Sequence, residues 1–334
     1  MRIGIAGAGR IGAMHATTLR NLSAVDELVV FDVDTASAAR VAGEVGARIA
    51  PSIEALLSCG LDGFLIATAT HTHAELLTAA LAAGIPTFCE KPIAGNLAQA
   101  VEMARLAAAS EVPVHVGFQR RFDAGYRRLR DAVQGGELGF VHTIRAATHD
   151  QSPPHPSYLP ASGGLFRDAG VHDFDILRFV TGCEVASVYA VGANKGEQFF
   201  TEAGDVDSAA AVLTLDDDTL VVMSVTRYNG AGHDIRMEAH GSKGAMMVGL
   251  DDSLAFRSAE PGVAFPPGPQ CWSFLERFHS AYRAELAAFI EVAQGTIPSP
   301  CTVADALEAA RTAEACTISR VEGRVVALGE ILRA

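Results

Sequence analysis

Three groups of residues in this chain have types and spacings suited to chemistry. The first is Gly7-Ala8-Gly9-Arg10-Ile11-Gly12, a G-x-G-x-x-G run that follows a short apolar segment and opens a helical one. In that setting the first glycine permits a tight turn, the second lets a pyrophosphate approach the backbone, and the third lets helix and strand pack closely. Asp32 falls 20 residues past Gly12, at the end of the second apolar run, where a carboxylate can take both hydroxyls of an adenosine ribose. Gly7, Gly9, Arg10, Ile11, Gly12 and Asp32 are therefore the candidate dinucleotide site. The same carboxylate repels a 2′-phosphate, and no Arg or Lys occurs between Asp32 and Arg40 to offset it, which favours NAD over NADP. Asp34, the rival for the ribose, reads better as the cap of a helix starting near Thr35.

The second group is Glu90-Lys91-Pro92, directly after an apolar run that reads as a strand. That is the carboxyl edge at which doubly wound sheets bind ligands. A residue before proline is driven out of helical geometry, which gives Lys91 a fixed direction, and an X-Pro bond can be cis. The competing reading is a solvated lysine in a turn. The third group is Asp168, His172 and Asp175, spaced four and three apart, which places them on one face of a helix. A histidine between carboxylates is suited to accept a proton, and a salt-bridged or capping histidine is the structural alternative. His71, His73, His149 and His155 raise the question of a metal, but neither H-E-x-x-H nor a Cys/His grouping occurs, so none is expected. Cys89 sits on a strand without a base at suitable spacing and does not read as a nucleophile.

These groups need elements to hold them. The first third alternates β-rich runs (Ile3–Ala6, Leu28–Phe31, Gly63–Ala67, Thr87–Cys89, Val114–Val116) with helical stretches (Ile11–Leu22, Thr35–Val45, Ala74–Ala83, Leu97–Ala109). That alternation predicts an α/β Rossmann-type, doubly wound parallel sheet over residues 1–120. After it come a helix at Tyr126–Val133, a strand at Val141–Ala147, a proline-rich loop with Pro153, Pro154, Pro156 and Pro160, and a helix at Leu165–Val180. Strands then follow at Val185–Val191, Ala209–Leu215, Thr219–Thr226, Ile235–His240 and Ala245–Gly249. A second Pro/Gly-rich loop, Pro261–Pro269, leads to helices at Phe274–Ala293 and Val303–Ser319. Residues 121–334 thus read as an α+β domain on an open, mostly antiparallel sheet, for substrate binding and oligomerisation, with its last helices able to pack back on the first domain. The sheet face opposite the helices is suited to burial against another subunit, as a dimer or a homotetramer.

Composition narrows the function classes. The 334 residues are 49% apolar and 19% charged, enough to build cores and too little charge for a disordered chain. A net charge of −13 argues against nucleic acid as a partner. Six scattered cysteines without a C-x-x-C pair suit a reducing cytoplasm. Neither a signal-peptide layout nor a long apolar run is seen, so membrane association is not expected.

Taken with their neighbours, these motifs resemble the glucose-fructose oxidoreductase / inositol dehydrogenase / MocA family, most closely its inositol 2-dehydrogenase branch. The resemblance runs over nearly the entire chain. It includes the glycine loop with His15 following, Glu90-Lys91-Pro92-Ile93, Val116-Gly117-Phe118-Gln119-Arg120-Arg121-Phe122-Asp123, and Ser162-Gly163-Gly164-Leu165-Phe166-Arg167-Asp168. Val171-His172-Asp173-Phe174-Asp175 and His240-Gly241-Ser242-Lys243-Gly244 complete it. The resemblance implies that Lys91 contacts the reacting hydroxyl and that Asp168 and His172 form a proton-relay pair. It adds Thr68, His73, Glu90 and Lys91 to the cofactor contacts, and Arg121, Asp150, Asp175, His233 and Tyr282 to the substrate contacts. For Arg121 an interdomain ion pair is the alternative. Thr68-Ala69-Thr70 stands where many members have Thr-Pro-Asn, and His233 where inositol dehydrogenases often have tyrosine. The implied activity is NAD-dependent oxidation of a ring hydroxyl of a cyclic polyol or sugar, myo-inositol to 2-keto-myo-inositol foremost. A reductase or dehydrogenase of another sugar or anhydro-sugar, a non-catalytic NAD-binding sensor and an NAD-dependent glycosidase are the alternatives.

Overall fold

The computed structural model describes residues 1–266 and 268–332; Pro267, within the expected Pro/Gly-rich loop, and residues 333 and 334 lie outside the described residues. The chain divides into two compact units, one of Met1–Gln119 and Ser280–Leu307, the other of Arg120–His279 and Glu308–Leu332.

In the first unit, strands β1 (Arg2–Ala6), β2 (Glu27–Phe31), β3 (Arg48–Ile49), β4 (Gly63–Ile66), β5 (Thr87–Glu90) and β6 (Val114–Gly117) form one sheet in the order β3-β2-β1-β4-β5-β6. Every pairing is parallel, with Ile5 opposite Val30 on one side and Leu65 on the other. Helices α1 (Arg10–Arg20), α2 (Thr35–Val45), α3 (Ile53–Leu57), α4 (His73–Ala82) and α5 (Leu97–Ala108) make the crossovers. Such a sheet is covered on both faces, which is why β4, and β1 after Arg2, read as continuous apolar runs. Ile3, Ile5, Leu28, Val30, Leu65 and Phe88 are buried in its core together with Leu286, Phe289 and Ile290 from the late helix. Asp34 caps α2 through the amide of Ala36, as its position suggested. The short β3 and α3 were not anticipated.

The second unit holds α6 (Ala124–Gln134), β7 (Val141–His149), α7 (Leu159–Ser162), α8 (Val171–Thr181), β8 (Val185–Ala193), α9 (Phe199–Glu202), β9 (Ser208–Leu215), β10 (Leu220–Thr226), β11 (Asp234–Gly241), β12 (Ala245–Val248) and α10 (Phe274–Arg277). Helices α11 (His279–Ala293) and α12 (Val303–Glu322) and strand β13 (Val326–Ala327) end the described chain. The second sheet runs β12-β11-β7-β10-β9-β8-β13. All its pairings are antiparallel except β7 with β10. Alternation is clear on β9 and β10: Ala211, Leu213, Val221, Met223 and Val225 are buried, while Val212 and Val222 between them stand 47% and 48% exposed. One face packs into the unit's core, and the other is bare.

Two expected elements divide. The helix expected over Leu165–Val180 begins as a π-helical turn, Phe166–Gly170, and becomes α-helical only at Val171. The helix expected over Phe274–Ala293 breaks at Phe278, which is 1% exposed and lies between α10 and α11.

Candidate active site

The three glycines of the loop have separate structural demands. Gly7 has φ +100°, and a Cβ there would lie 2.4 Å from the Ala67 carbonyl oxygen. On Gly12, in the first turn of α1, a Cβ would lie 1.9 Å from the Gly7 carbonyl oxygen. A Cβ on Gly9 would meet no described atom within 4 Å. The fold therefore needs Gly7 and Gly12, whereas Gly9 faces open space. Gly9 also stands at the N-cap of α1, where no described side chain caps the helix, leaving amides and the positive end of the dipole for an anion. Arg10 is exposed and Ile11 partly buried on the same turn. Asp32 accepts the amides of Ala8 at 2.6 Å and Asp34 at 2.8 Å, which holds the acid beside the turn. Together these residues fit the pyrophosphate and ribose of a dinucleotide.

Glu90 closes β5 with its Oε1 2.6 Å from His15 Nε2, while its Oε2 accepts the Lys91 amide at 3.2 Å. His15 is fully buried, edge-on to the rings of Phe88 and Tyr282. The Lys91–Pro92 bond is cis, and Lys91 is partly buried. Behind this turn, His73 Nδ1 lies 2.8 Å from the Pro92 carbonyl oxygen and its Nε2 3.1 Å from that of Thr68, whose own hydroxyl meets Thr72 at 2.7 Å. Burial pushes the His73 imidazole below its ordinary value against the opposite pull of those two carbonyls. His73 and Tyr282, expected to touch cofactor and substrate, are 1% and 6% exposed, with His73 held between the Thr68 and Pro92 carbonyls and Tyr282 against His15.

In the second unit, Asp168 and His172 fall on two kinds of helical turn, four residues apart. Asp168 lies in the π-helical turn and His172 is the second residue of α8, and a π turn carries one residue more than an α turn. Asp168 accepts the Tyr158 hydroxyl at 2.8 Å on Oδ1 and Arg227 Nη2 at 2.6 Å on Oδ2. Arg227 Nη1 reaches Asp150 at 3.0 Å, and His233 Nδ1 lies 3.6 Å from the other oxygen of Asp150. Burial pushes His233 down to about 4, helped by Arg120 and Arg277 and opposed by Asp150 and Asp234, so the ring is neutral at pH 7.

Arg121 and Asp175, expected as substrate contacts, form an ion pair with one another. The Arg121 guanidinium grips Asp175 at 2.9 and 2.6 Å through Nε and Nη2, and the two side chains are 7% and 0% exposed. The adjacent pair repeats the arrangement: Asp173 accepts Arg120 at 2.8 Å and Thr148 at 2.6 Å. These pairs lie inside the second unit and tie Arg120 and Arg121 to α8. His149 Nε2 lies 2.6 Å from the Ser224 hydroxyl and His155 Nδ1 2.8 Å from that of Ser157.

Residues 1–118 match the oxidoreductase family with an NAD-binding Rossmann fold, and residues 126–247 the GFO/IDH/MocA C-terminal domain. The chain belongs to the GFO/IDH/MocA family. It is 38% identical to a Streptomyces leeuwenhoekii protein named myo-inositol dehydrogenase Hyg17, over 97% of this chain and 99% of that one. A solved myo-inositol dehydrogenase of Corynebacterium glutamicum superimposes with a TM-score of 0.90 at 33% identity, covering 98% of each chain. The scyllo-inositol dehydrogenase of Lactobacillus casei, solved with NAD(H) and scyllo-inositol, gives 0.89 at 26% identity, covering 98% of this chain and 99% of that one. As a GFO/IDH/MocA oxidoreductase the chain binds NAD through its first unit, in keeping with the open side of Gly9 and the fixed carboxylate of Asp32.

Sequence reasoning missed two residues that the fold brings to Asp168. Arg227 is a lone cation just past an apolar strand, and Tyr158 the one aromatic residue of the proline-rich loop. Those were the available signals, and neither names its partner.

Proposed function

We propose that this oxidoreductase converts a ring hydroxyl of a cyclic polyol to the ketone with reduction of NAD, myo-inositol being the substrate and 2-keto-myo-inositol the product. One observation carries the chemistry: a dinucleotide cradle with an open Gly9 face occurs in the same chain as a held lysine turn, Glu90-Lys91-Pro92, and an Asp168 held by Arg227 four residues before His172. The ring polyol follows from the relatives that act on inositols.

In this reading a ring nitrogen of His172 takes the proton of the reacting hydroxyl, and Asp168 orients the imidazole. General base action of this kind contributes roughly 10² to 10⁴ in rate. The Lys91 ammonium faces the oxygen as it gains alkoxide character, and a positioned cation at such a centre is worth about 3 kcal/mol. Gly7, Gly9, Gly12 and Asp32 hold NAD, which when bound supplies the acceptor for the hydride leaving the carbinol carbon. Asp150 and His233 supply the polar lining that selects among epimers.

The same reading makes the protein a homo-oligomer, dimer or tetramer, through the bare face of the second sheet, and places it in the cytoplasm. Supporting these are the row of exposed Tyr189, Val191, Val212 and Val222 and six free cysteine thiols. Among the described residues no helix is long and apolar enough to cross a membrane.

Absorbance at the NADH band with purified protein, NAD or NADP, and a panel of myo-, scyllo- and chiro-inositol, glucose and xylose tests the reading. A strong NAD-linked signal with myo-inositol is the expected result. Silence across the panel, with NADH consumed when keto-sugars are offered, would replace it with a keto-sugar reductase.

A further inference from the structure

Arg227 follows β10 directly and is 4% exposed. Its amide donates to the Asp207 carbonyl oxygen at 2.8 Å, so the backbone that carries it is fixed. One arm of its guanidinium meets Asp168 at 2.6 Å and the other meets Asp150 at 3.0 Å. Although burial works against its charge, the two carboxylates hold the guanidinium above its ordinary value. On its other oxygen Asp168 accepts the hydroxyl of Tyr158, a residue 45% exposed on the proline-rich loop. Arg227 and Tyr158 are thus among the charged or titratable groups that face Asp168, with Asp150 and the neutral His233 behind the arginine and His172 near the start of the helix that follows.

Only an arginine fits this place well. A planar fork spans two carboxylates with separate donors, while a lysine ammonium offers a single charged point. An arginine in contact with a carboxylate both fixes its direction and favours its charged form. We propose that Arg227 is a positioning residue of the oxidation: it fixes the Asp168 carboxylate that orients His172, and through Asp150 it couples that carboxylate to the polar lining around His233. The assignment rests on the role of Asp168 and His172 put forward above. Removing Arg227 leaves two carboxylates less compensated, so both Asp168 and His172 take protons more readily, and the rate fails at a higher pH.

The test measures kcat and KM against pH for Arg227→Gln, Arg227→Lys and Tyr158→Phe, beside Asp168→Asn and His172→Ala, with NAD affinity by fluorescence and thermal melting for each. Arg227→Gln is expected to lose about tenfold or more in kcat, with NAD affinity held and the acid limb of the kcat profile moved up by about one pH unit. Arg227→Lys is expected to restore the limb in part. On the Asp168→Asn background Arg227→Gln is expected to cost little more, because both changes remove the same interaction. Tyr158→Phe touches the same carboxylate from an exposed loop and gives the same direction of limb shift if Arg227→Gln does not fold. An unmoved acid limb in Arg227→Gln or, should that variant not fold, in Tyr158→Phe overturns the proposal, as do losses of Arg227→Gln and Asp168→Asn that multiply. If His172→Ala keeps wild-type turnover, the base assignment itself fails, whatever Arg227 does.

Discussion

The carboxylate of Asp32 accepts the backbone amide of Ala8 at 2.6 Å, 24 residues away in the chain. The acid proposed to hold the ribose is thereby also a strut of the glycine turn, so in that reading cofactor choice and loop shape rest on one side chain. Arg40 approaches the same turn from α2, its Nη2 3.2 Å from the Ala8 carbonyl oxygen. The sequence placed this arginine beyond reach, and the helix brings it back.

Asp32→Ser is accordingly expected to weaken NAD use and improve NADP use in a single step. Loss of charge-assisted bonds of about 1.5–3 kcal/mol predicts a fall of roughly 10- to 100-fold in kcat/KM with NAD. NADP gains because a repelling carboxylate is gone and Arg40 stands nearby. Adding Arg40→Ala should erase the NADP gain; initial rates with both cofactors for the single and double variants decide it.

Gly9 and Gly12 separate binding from folding. Gly9→Ala places a methyl where no described atom lies within 4 Å, and its φ of −69° suits alanine. Its melting temperature is expected to stay within a few degrees of the parent while the KM for NAD rises tenfold or more. Gly12→Ala drives a methyl to 1.9 Å from the Gly7 carbonyl oxygen and is expected to lower stability first, by about 1–3 kcal/mol. Equal melting losses in the two variants would contradict the division of labour.

The first unit was legible in the sequence because its signals are local. A strand covered on both faces reads as an apolar run, and the glycine loop and Asp32 sit at fixed offsets within one βαβ unit. What escaped were β3 and α3, of which β3 is two exposed residues without pattern. In the second unit the governing contacts are distant. Tyr158 and Arg227 meet Asp168 across 10 and 59 residues, and Asp168 sits in a π-helical turn at Phe166–Gly170 that the sequence pattern does not announce. Arg121 with Asp175, and His73 with Thr68 and Pro92, show the same limit: residue type was visible, but partner and burial were not.

Lys91→Met and His172→Ala distinguish the two chemical roles. His172→Ala removes the proton acceptor and should lower kcat by roughly 10² to 10⁴. Lys91→Met keeps the length of the side chain and removes the charge. Its kcat should fall by about 100-fold, and raising the pH should not recover it. Wild-type turnover in either variant removes that residue from the mechanism.

His233 makes the fold sensitive to acid. Its native value near 4 lies below the ordinary value of about 6.5 that the unfolded chain shows. Between those two values the unfolded state binds a proton that the native state refuses, so stability falls as pH drops from about 6.5 toward 4. At pH 5 the loss from this one residue is about 2 kcal/mol, and His73, shifted downward as well, acts in the same direction. His233→Tyr carries no titrating group in that window. Denaturant melts at pH 7 and pH 5 should show a smaller acid loss for the variant; an identical loss would mean that the native ring is already protonated at pH 5.

The bare face of the second sheet carries a row of apolar side chains in register across three strands. Tyr189 stands opposite Val212 and Val212 opposite Val222, each 43–48% exposed. An apolar patch of this kind, continuous across strands, is characteristic of a surface that a partner covers. Val222 occupies the middle strand β10 and points outward between buried Val221 and Met223, so a charge there spoils the patch without entering the core. For the homo-oligomer proposed above, Val222→Asp is expected to leave a 34.9 kDa species in light scattering after gel filtration, with its far-ultraviolet circular dichroism unchanged. A parent protein already at that mass across the micromolar range would refute the assignment, because a face left uncovered in solution cannot be what holds the copies together.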